Sequence, residues 1–442
     1  MMPPDIPYPT TSVRGRTGIG GASRGAGVEA GGPNRTDRVP DDARVIRLAV
    51  ALVAVEAGFH AFTASLPIAL ARAGVPDPQI GLIVGTAALV QIPAAFVAGV
   101  VVDRVGGLRT LTVGGLAYLV GCAILLLPGV EPGGPSAPFL AARVFQGIGI
   151  AATLPAALSL VPMLVAADRR GFGLGFVESA HNLTLVVLPP LSLAVLAASS
   201  LHGVAAMAVV FVLVGLAIVH IVPLRFRPTG ESTGDHHGPT DVARRRLGFA
   251  FRHAWAPLIA IDLLYTAHWG VIVAFLPQRA EEAGADIGLF FVADGIAILL
   301  SRVPSGWLAD RIRPIILIVT GLAATGVAVL LLTQPPTTPL LMLAGTLTGT
   351  GGGLVVTPLI VEISRRSLDA DRGSAFSLFS AANAGALAIG SIGGAIVLDR
   401  FGFEGALLAT LAGIACAGLL ALLDSGLRRR PSATATTPVP AV

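Results

Sequence analysis

The stretch IGLIVGTAALVQIPAAFVAGVVVDRVG, residues 80–106, decides the fold, because it returns without a gap as IGLFFVADGIAILLSRVPSGWLADRIR at 287–313. The copies agree at Ile-Gly-Leu, at Gly99 and Gly306, and at Asp103-Arg104 and Asp310-Arg311. Other landmarks recur at nearly the same offset: Leu66-Pro67 with Leu276-Pro277, Thr153-Leu154-Pro155 with Val356-Thr357-Pro358, and DRRG at 168 with DRG at 371. The chain reads as a duplicated unit.

Around this repeat, one apolar run follows another. The chain has 442 residues, of which 54% are hydrophobic and 13% charged. A water-soluble globule cannot cover that much apolar surface, so the composition points to an integral membrane protein. A helix needs roughly 20 apolar residues to cross a hydrocarbon core of about 30 Å. On that measure there are twelve all-α spans, near 45–69, 79–102, 108–128, 138–162, 173–198, 203–224, 253–277, 287–309, 314–333, 338–361, 374–398 and 403–424. Each repeat holds six spans, an even number, so both halves enter the membrane in the same orientation and are related by an axis along its normal.

Every basic residue is arginine, and 25 of the 30 fall in the termini or in the loops on the same side as the termini. Arg72, Arg279 and Arg400 lie on the other side, and Arg143 and Arg302 fall inside spans. The positive-inside rule then puts both termini in the cytoplasm of a multi-pass protein of the cytoplasmic membrane. The basic balance reports orientation in the bilayer and gives no reason to expect nucleic-acid binding. Residues 1–44, rich in Gly, Pro and Arg, read as a disordered cytoplasmic tail and not as a cleaved signal peptide. Two bundles, 45–224 and 253–424, flank a polar cytoplasmic linker at 225–252, and 425–442 is a second tail. Cys122 and Cys416 lie in opposite halves and read as small buried hydrophobes.

A charge at mid-span costs roughly 2.5–3.5 kcal/mol, so each one needs a reason. Glu56 and His60 share a face of the first span, and Glu178, His181 and Asn182 share a face of the fifth. The seventh span carries Asp262, Tyr265, His268 and Trp269, with Asp262, Tyr265 and Trp269 in line. Asp294 and Arg302 lie on the eighth span, and Arg143 and Gln146 on the fourth. Two readings follow. Either these groups face a polar central cavity, where an acid without an ionic partner loads and releases a proton, or Glu56–Arg143 and Asp294–Arg302 are neutralised structural pairs. His236-His237 in the linker is too weak a pattern for a metal site, and the glycines between 345 and 353 follow no strand, so they read as helix-packing residues.

Six plus six spans with Gly-x-x-x-Asp-Arg after the second span of each half resemble the major facilitator superfamily, over about 45–425. The resemblance implies a secondary transporter that works by alternating access of its halves, with no cofactor, no metal and no enzymatic activity. It also implies a working monomer in the lipid bilayer. The signature loop is kept in the first copy by Gly99, Asp103, Arg104, Gly106 and Arg109. In the second it is kept by Gly306, Asp310 and Arg311, but Arg313 stands where a glycine is usual. By resemblance these residues form the cytoplasmic gate, with Gly99 and Gly306 permitting close helix approach. ARVFQGIGIAATLP, 142–155, is similar to the Arg-x-x-Gln-Gly-x-Gly segment of bacterial proton-coupled efflux members. The fifth span has Pro189-Pro190 in place of the Gly-x-x-x-Gly-Pro of drug antiporters. The reading is proton-coupled efflux of a small-molecule substrate, with the coupling proton on Glu56, Glu178, Asp262 or Asp294. The alternatives are a proton symporter or uniporter importing a sugar or organic acid and, in another class, a non-transporting receptor or scaffold.

Overall fold

The computed structural model describes residues 41–165, 170–221, 255–309, 311–367, 372–424 and 427. Most of the expected N-terminal tail, the 225–252 linker with its His236-His237, Asp310 and Arg428 to Arg430 lie outside those residues.

All regular structure among the described residues is helical. The first crossing is α1 (Asp41–His60) and α2 (Phe62–Arg72), interrupted at Ala61. There follow α3 (Asp77–Val105), α4 (Gly107–Ile124), α5 (Ala137–Leu164), α6 (Arg170–Ala198) and α7 (Leu201–Ile221). The second half begins with α8 (Ala256–Glu282), α9 (Ile287–Ala309), α10 (Pro314–Leu331) and α11 (Thr338–Arg366). The last membrane stretch runs through α12 (Arg372–Ala388), a π turn at Ile389–Gly393 and α13 (Gly394–Leu423).

Eleven helical stretches among the described residues are long and apolar enough to cross a membrane. The last, Leu378–Leu423, has 46 residues. At 1.5 Å per residue it is about twice the thickness of a bilayer core. Inside it Gly402 has φ 72°, a left-handed conformation open to glycine, and the helix breaks there. Residues 378–401 and 403–423 are therefore separate crossings, which gives twelve. Two other left-handed glycines mark the duplication, Gly74 (φ 75°) after the first span and Gly284 (φ 68°) after the seventh. Each closes its helix in the same way, with Val75 N–H donating to Leu70 O at 3.1 Å and Ala285 N–H to Ala280 O at 2.8 Å.

The repeat is not preserved at the turn after the second span of each half. Gly106 uses φ 89°, whereas Arg313 has an ordinary φ of −64° and Pro314 opens the next helix. The arginine is tolerated because this turn needs no left-handed residue.

Within the first half α1 packs on α6 and α7, and α5 on α3 and α4. In the second half α11 packs on α9 and α10, and α8 on α12 and α13. The halves meet through α3 against α12, α6 against α9 and α2 against α8. Small residues allow this proximity. A Cβ on Gly81 would come within 2.4 Å of Ser391 O across the halves, and one on Gly85 within 2.6 Å of Ser391 Oγ. Within the second half, the glycines read from sequence as packing residues hold α11 against α9, since a Cβ on Gly349 would meet Asp294 O at 2.1 Å. Leucine, valine and phenylalanine cover the outward faces, among them Leu300, Val303 and Phe401. Cys122 is buried as expected, but Cys416 is exposed on this outward surface, because it faces away from the bundle on the last span.

Candidate functional site

A cavity of about 270 Å³ lies between the halves, lined by Phe59 and His60 of α1, Gln91 of α3, Arg143 of α5, His181 of α6, Trp269 of α8 and Asn383 of α12. Leu185, Trp269, Asn383 and Leu387 also line a second pocket of about 210 Å³, walled mostly by the second half, with Tyr265, His268, Asp294 and Arg302. The two spaces share one wall, and polar side chains punctuate their largely apolar linings.

The first-half wall is built around Glu56, which is fully buried. His181 Nδ1 lies 2.6 Å from Glu56 Oε2, His60 Nε2 lies 3.9 Å from that same oxygen, and Thr153 donates to Oε1 at 3.3 Å. The helical spacing of Glu56 and His60 brought them to one face, and α6 adds His181. Arg143 is elsewhere: it donates to Gln146 Oε1 at 2.8 Å and to Val84 O at 3.1 Å, and its guanidinium lies 4.7 Å from the centre of the Phe59 ring. The Glu56–Arg143 pair of the second reading is not formed, because Gln146 on α5 and the Val84 carbonyl on α3 hold the guanidinium while His181 and Thr153 hold the acid.

In the second half the acids have few partners. Asp262 accepts from Thr266 at 3.3 Å through Oδ1, and Asn383 donates to that threonine at 3.3 Å. Asp262 Oδ2 and both oxygens of Asp294 are buried without a hydrogen-bond partner among the described residues. The Asp294–Arg302 pair of the second reading is also absent: Arg302 reaches across the halves to Glu178, at 3.0 Å. Tyr265 lies 3.3 Å from Thr325 Oγ1 through its hydroxyl, His268 Nδ1 is 2.5 Å from Tyr265 O, and Asn182 donates to Glu178 O. Trp269 stacks on Phe290 with ring centres 6.3 Å apart and lines both pockets.

At the end away from the termini Arg72 pairs with Glu281, Arg279 with Asp77 at 3.3 Å, and Gln278 donates to Asp77 at 2.6 Å, so the halves are joined by three polar contacts. The end near the termini is looser. Asp103, Arg104 and Arg109 are exposed, and a Cβ on Gly99 would meet nothing within 4 Å. Gly306 is nearly as free, with Thr357 Cγ2 at 3.8 Å. The expected close approach at these glycines is therefore not made in this conformation, because the helix ends that carry them stand apart. Arg311 lies over Trp307 at 3.8 Å and donates to its carbonyl, a contact within its own segment.

Sequence reasoning missed Thr153, Asn383 and Gln91. Each is a lone polar residue in an apolar run, and Thr153 belongs to the repeated Thr-Leu-Pro landmark. That signal is present but does not distinguish a cavity-facing residue from one bonded to its own helix.

The Major Facilitator Superfamily family model matches residues 48–286 and again 261–441, so the two matches together span both halves. Among solved structures the chain is similar to a peptide transporter POT in complex with sulfate (TM-score 0.69, 15% identity, 86% of this chain and 93% of that one). It is also similar to a D-xylose-proton symporter (TM-score 0.67, 16% identity, 88% and 98%). A third is the human organic anion transporter MFSD10, also called TETRAN (TM-score 0.61, 16% identity, 87% and 100%). At these identities the likenesses speak for the fold alone. With twelve crossings, a duplicated signature loop and a family match over both halves, this chain belongs to the major facilitator superfamily and is a multi-pass membrane transporter.

Proposed function

We propose that this transporter exports a small solute across the cytoplasmic membrane in exchange for protons, with both termini in the cytoplasm and the protein working as a monomer. Asp294 is the coupling acid. The observation that carries this is a carboxylate at mid-span, 1% exposed, with neither oxygen hydrogen-bonded among the described residues, beside a pocket that Tyr265, His268 and Arg302 also line. A bare buried charge there costs several kcal/mol, so the group stays uncharged by holding a proton in this conformation and releases it when the pocket opens to water. The ionisable and polar groups that line this pocket with it are Arg302 on its own helix, Tyr265, Thr266 and His268 on α8, Asn182 on α6, Thr348 on α11 and Asn383 on α12. The only guanidinium among them, that of Arg302, is already engaged by Glu178.

The other candidate acids are less free in this conformation. Glu178 is held by Arg302 and Glu56 by His181. The similarity of the fourth-span segment to efflux members supports the outward direction. Asp103, Arg104, Arg109, Asp310 and Arg311 form the gate near the termini, and Asp103, Arg104 and Arg109 are exposed. Arg72, Arg279, Asp77 and Glu281 form the opposing gate, which is shut.

Inverted membrane vesicles carrying a respiratory pH gradient and a pH dye provide the test. A panel of drugs, sugars, amino acids and metallophores is added to vesicles with the wild-type protein, the Asp294→Asn variant or no transporter. A compound that collapses the gradient with the wild type alone supports proton antiport through Asp294. Equal collapse with Asp294→Asn removes Asp294 from the coupling step, and solute entry that itself requires an inward proton gradient reverses the direction to symport.

A further inference from the structure

We propose that Glu56, His60 and His181 form a binding site for a divalent transition-metal ion of the imidazole-preferring kind, completed from the cavity by an anionic ligand that Arg143 holds. One donor atom from each of the three side chains lies within 4.8 Å of the others. Bonds of about 2.0–2.1 Å in a tetrahedral site keep donors roughly 3.3 Å apart. The His181 pair at 2.6 Å has to open and the His60 pair at 3.9 Å has to close, each by less than about 1 Å on that geometry.

His60 makes the argument. Its ring is 5% exposed, and neither nitrogen has a hydrogen-bond partner among the described residues. The hydrogen-bonded pair of His181 with Glu56 explains those two residues without a ligand, but it leaves His60 unexplained. Buried polar groups are nearly always satisfied, so an imidazole that lines a cavity with both nitrogens unused marks a place where something binds. His60 is the last residue of α1, just before the break at Ala61, and its ring meets that of His181 edge-on with centres 5.7 Å apart. Two helices thus contribute ligands in one half, and Thr153 fixes the free carboxylate oxygen as an outer partner would.

The donor set selects the ion. Two imidazoles and one carboxylate suit zinc, cobalt, nickel or copper, whereas magnesium and calcium prefer all-oxygen surroundings. Three protein ligands leave a fourth position, and His60 and His181 line the cavity into which it opens. Arg143 lines that same cavity, is 5% exposed, and keeps its Nε without a partner. A dication balanced by one carboxylate and facing a guanidinium is still positive. An anionic fourth ligand resolves this, so the occupant is a metal chelate with a carboxylate or similar group. The inference concerns binding alone and stands or falls independently of the direction and coupling of transport.

The test uses full-length protein without a polyhistidine tag, with His236 and His237 replaced by alanine throughout so that the linker supplies no ligand. Co2+ is added alone or with malonate, and the visible d–d absorption of four-coordinate cobalt is followed. One equivalent is expected to bind. His60→Ala and His181→Ala should weaken binding by at least about tenfold, the loss that outer partners of metal ligands already produce. Arg143→Gln should keep the Co2+ signal and lose the gain that malonate brings. His60 has no hydrogen bond to forfeit, so His60→Ala decides the matter even if His181→Ala does not fold. A folded wild type with no cobalt band, or unchanged affinity in His60→Ala, overturns the site. A malonate effect that is absent in the wild type, or identical in Arg143→Gln, overturns the anionic fourth ligand.

Discussion

Glu56 in the first half and Asp294 in the second are both buried acids near the middle of the bundle, yet their surroundings differ. Glu56 is met by His181, Thr153 and, at longer range, His60. Asp294 has neither oxygen bonded among the described residues, although glycines bring α11 so close that its backbone touches that of Asp294. Duplication thus supplied one backbone scheme twice, and the side chains divided the work. The first half holds its acid in a preorganised polar cluster, and the second leaves an acid without partners.

The sharpest way to break this contrast is to remove each acid in turn. Glu56→Ala leaves the half-buried His181 and the buried Thr153 without their partner and should cost about 1–3 kcal/mol, as leaving a buried polar group unpaired does. Asp294→Asn removes no hydrogen bond, so its unfolding in detergent, followed by loss of tryptophan signal, should match the wild type or exceed it. Its deficit should appear in function. One proton crossing 100 mV supplies about 2.3 kcal/mol, enough for roughly a 50-fold gradient of a neutral solute. Asp294→Asn is expected to lose that concentrating power while still exchanging labelled for unlabelled solute. Equal destabilisation by the two substitutions would end the comparison.

A comparable effect separates glycines that look alike in the sequence. Gly349→Leu drives a side chain into the Asp294 carbonyl, at 2.1 Å from the first atom alone, and overpacking of this kind costs typically about 1–3 kcal/mol. Gly99→Leu meets open space in this conformation and should leave unfolding unchanged. If Gly99 serves the gate as proposed, the added side chain obstructs the closed state instead, and solute exchange slows although stability does not. Unfolding and exchange rates measured on both variants separate the two roles.

The fold was legible because membrane crossings depend on local composition. Twelve apolar runs, alternate loops rich in arginine and the return of Ile-Gly-Leu and Asp-Arg need no knowledge of long-range contacts. Helical spacing also paired Glu56 with His60, since residues four apart share a face whatever surrounds them. The partners were not legible. Arg143 points toward Gln146 and Phe59, and Arg302 toward Glu178, for reasons that lie on other helices or in side-chain orientation. Opposite charges in one half suggested neutral pairs, but helix rotation set which of them meet. His181 joined Glu56 across 125 positions, a contact that no periodicity encodes.

The smallest effect concerns the closed end, where the two halves touch through exposed charges. Arg72 and Glu281 are 51% and 33% exposed, so water screens their attraction and the pair contributes about 0–1 kcal/mol. Arg72→Gln should therefore leave unfolding almost unchanged. The same energy weighs differently on an equilibrium between two conformations of similar stability, where 1 kcal/mol shifts the populations about fivefold. Gln91 lines the central cavity, so a cysteine placed there reports which side is open through its reaction with a membrane-impermeant thiol reagent. The exposed Cys416 has to be replaced by serine in the same protein, whereas Cys122 is buried and can stay. Adding Arg72→Gln should raise labelling of Gln91→Cys from the side opposite the termini, by up to about fivefold, and high salt should produce a similar rise in the parent. Arg279→Gln should do more, because Arg279 and its neighbour Gln278 share Asp77, and Arg279→Gln weakens a less exposed contact. Labelling that responds to neither substitution would mean that the packing of Trp269, Phe290 and Phe291, and not the ion pairs, keeps this end shut.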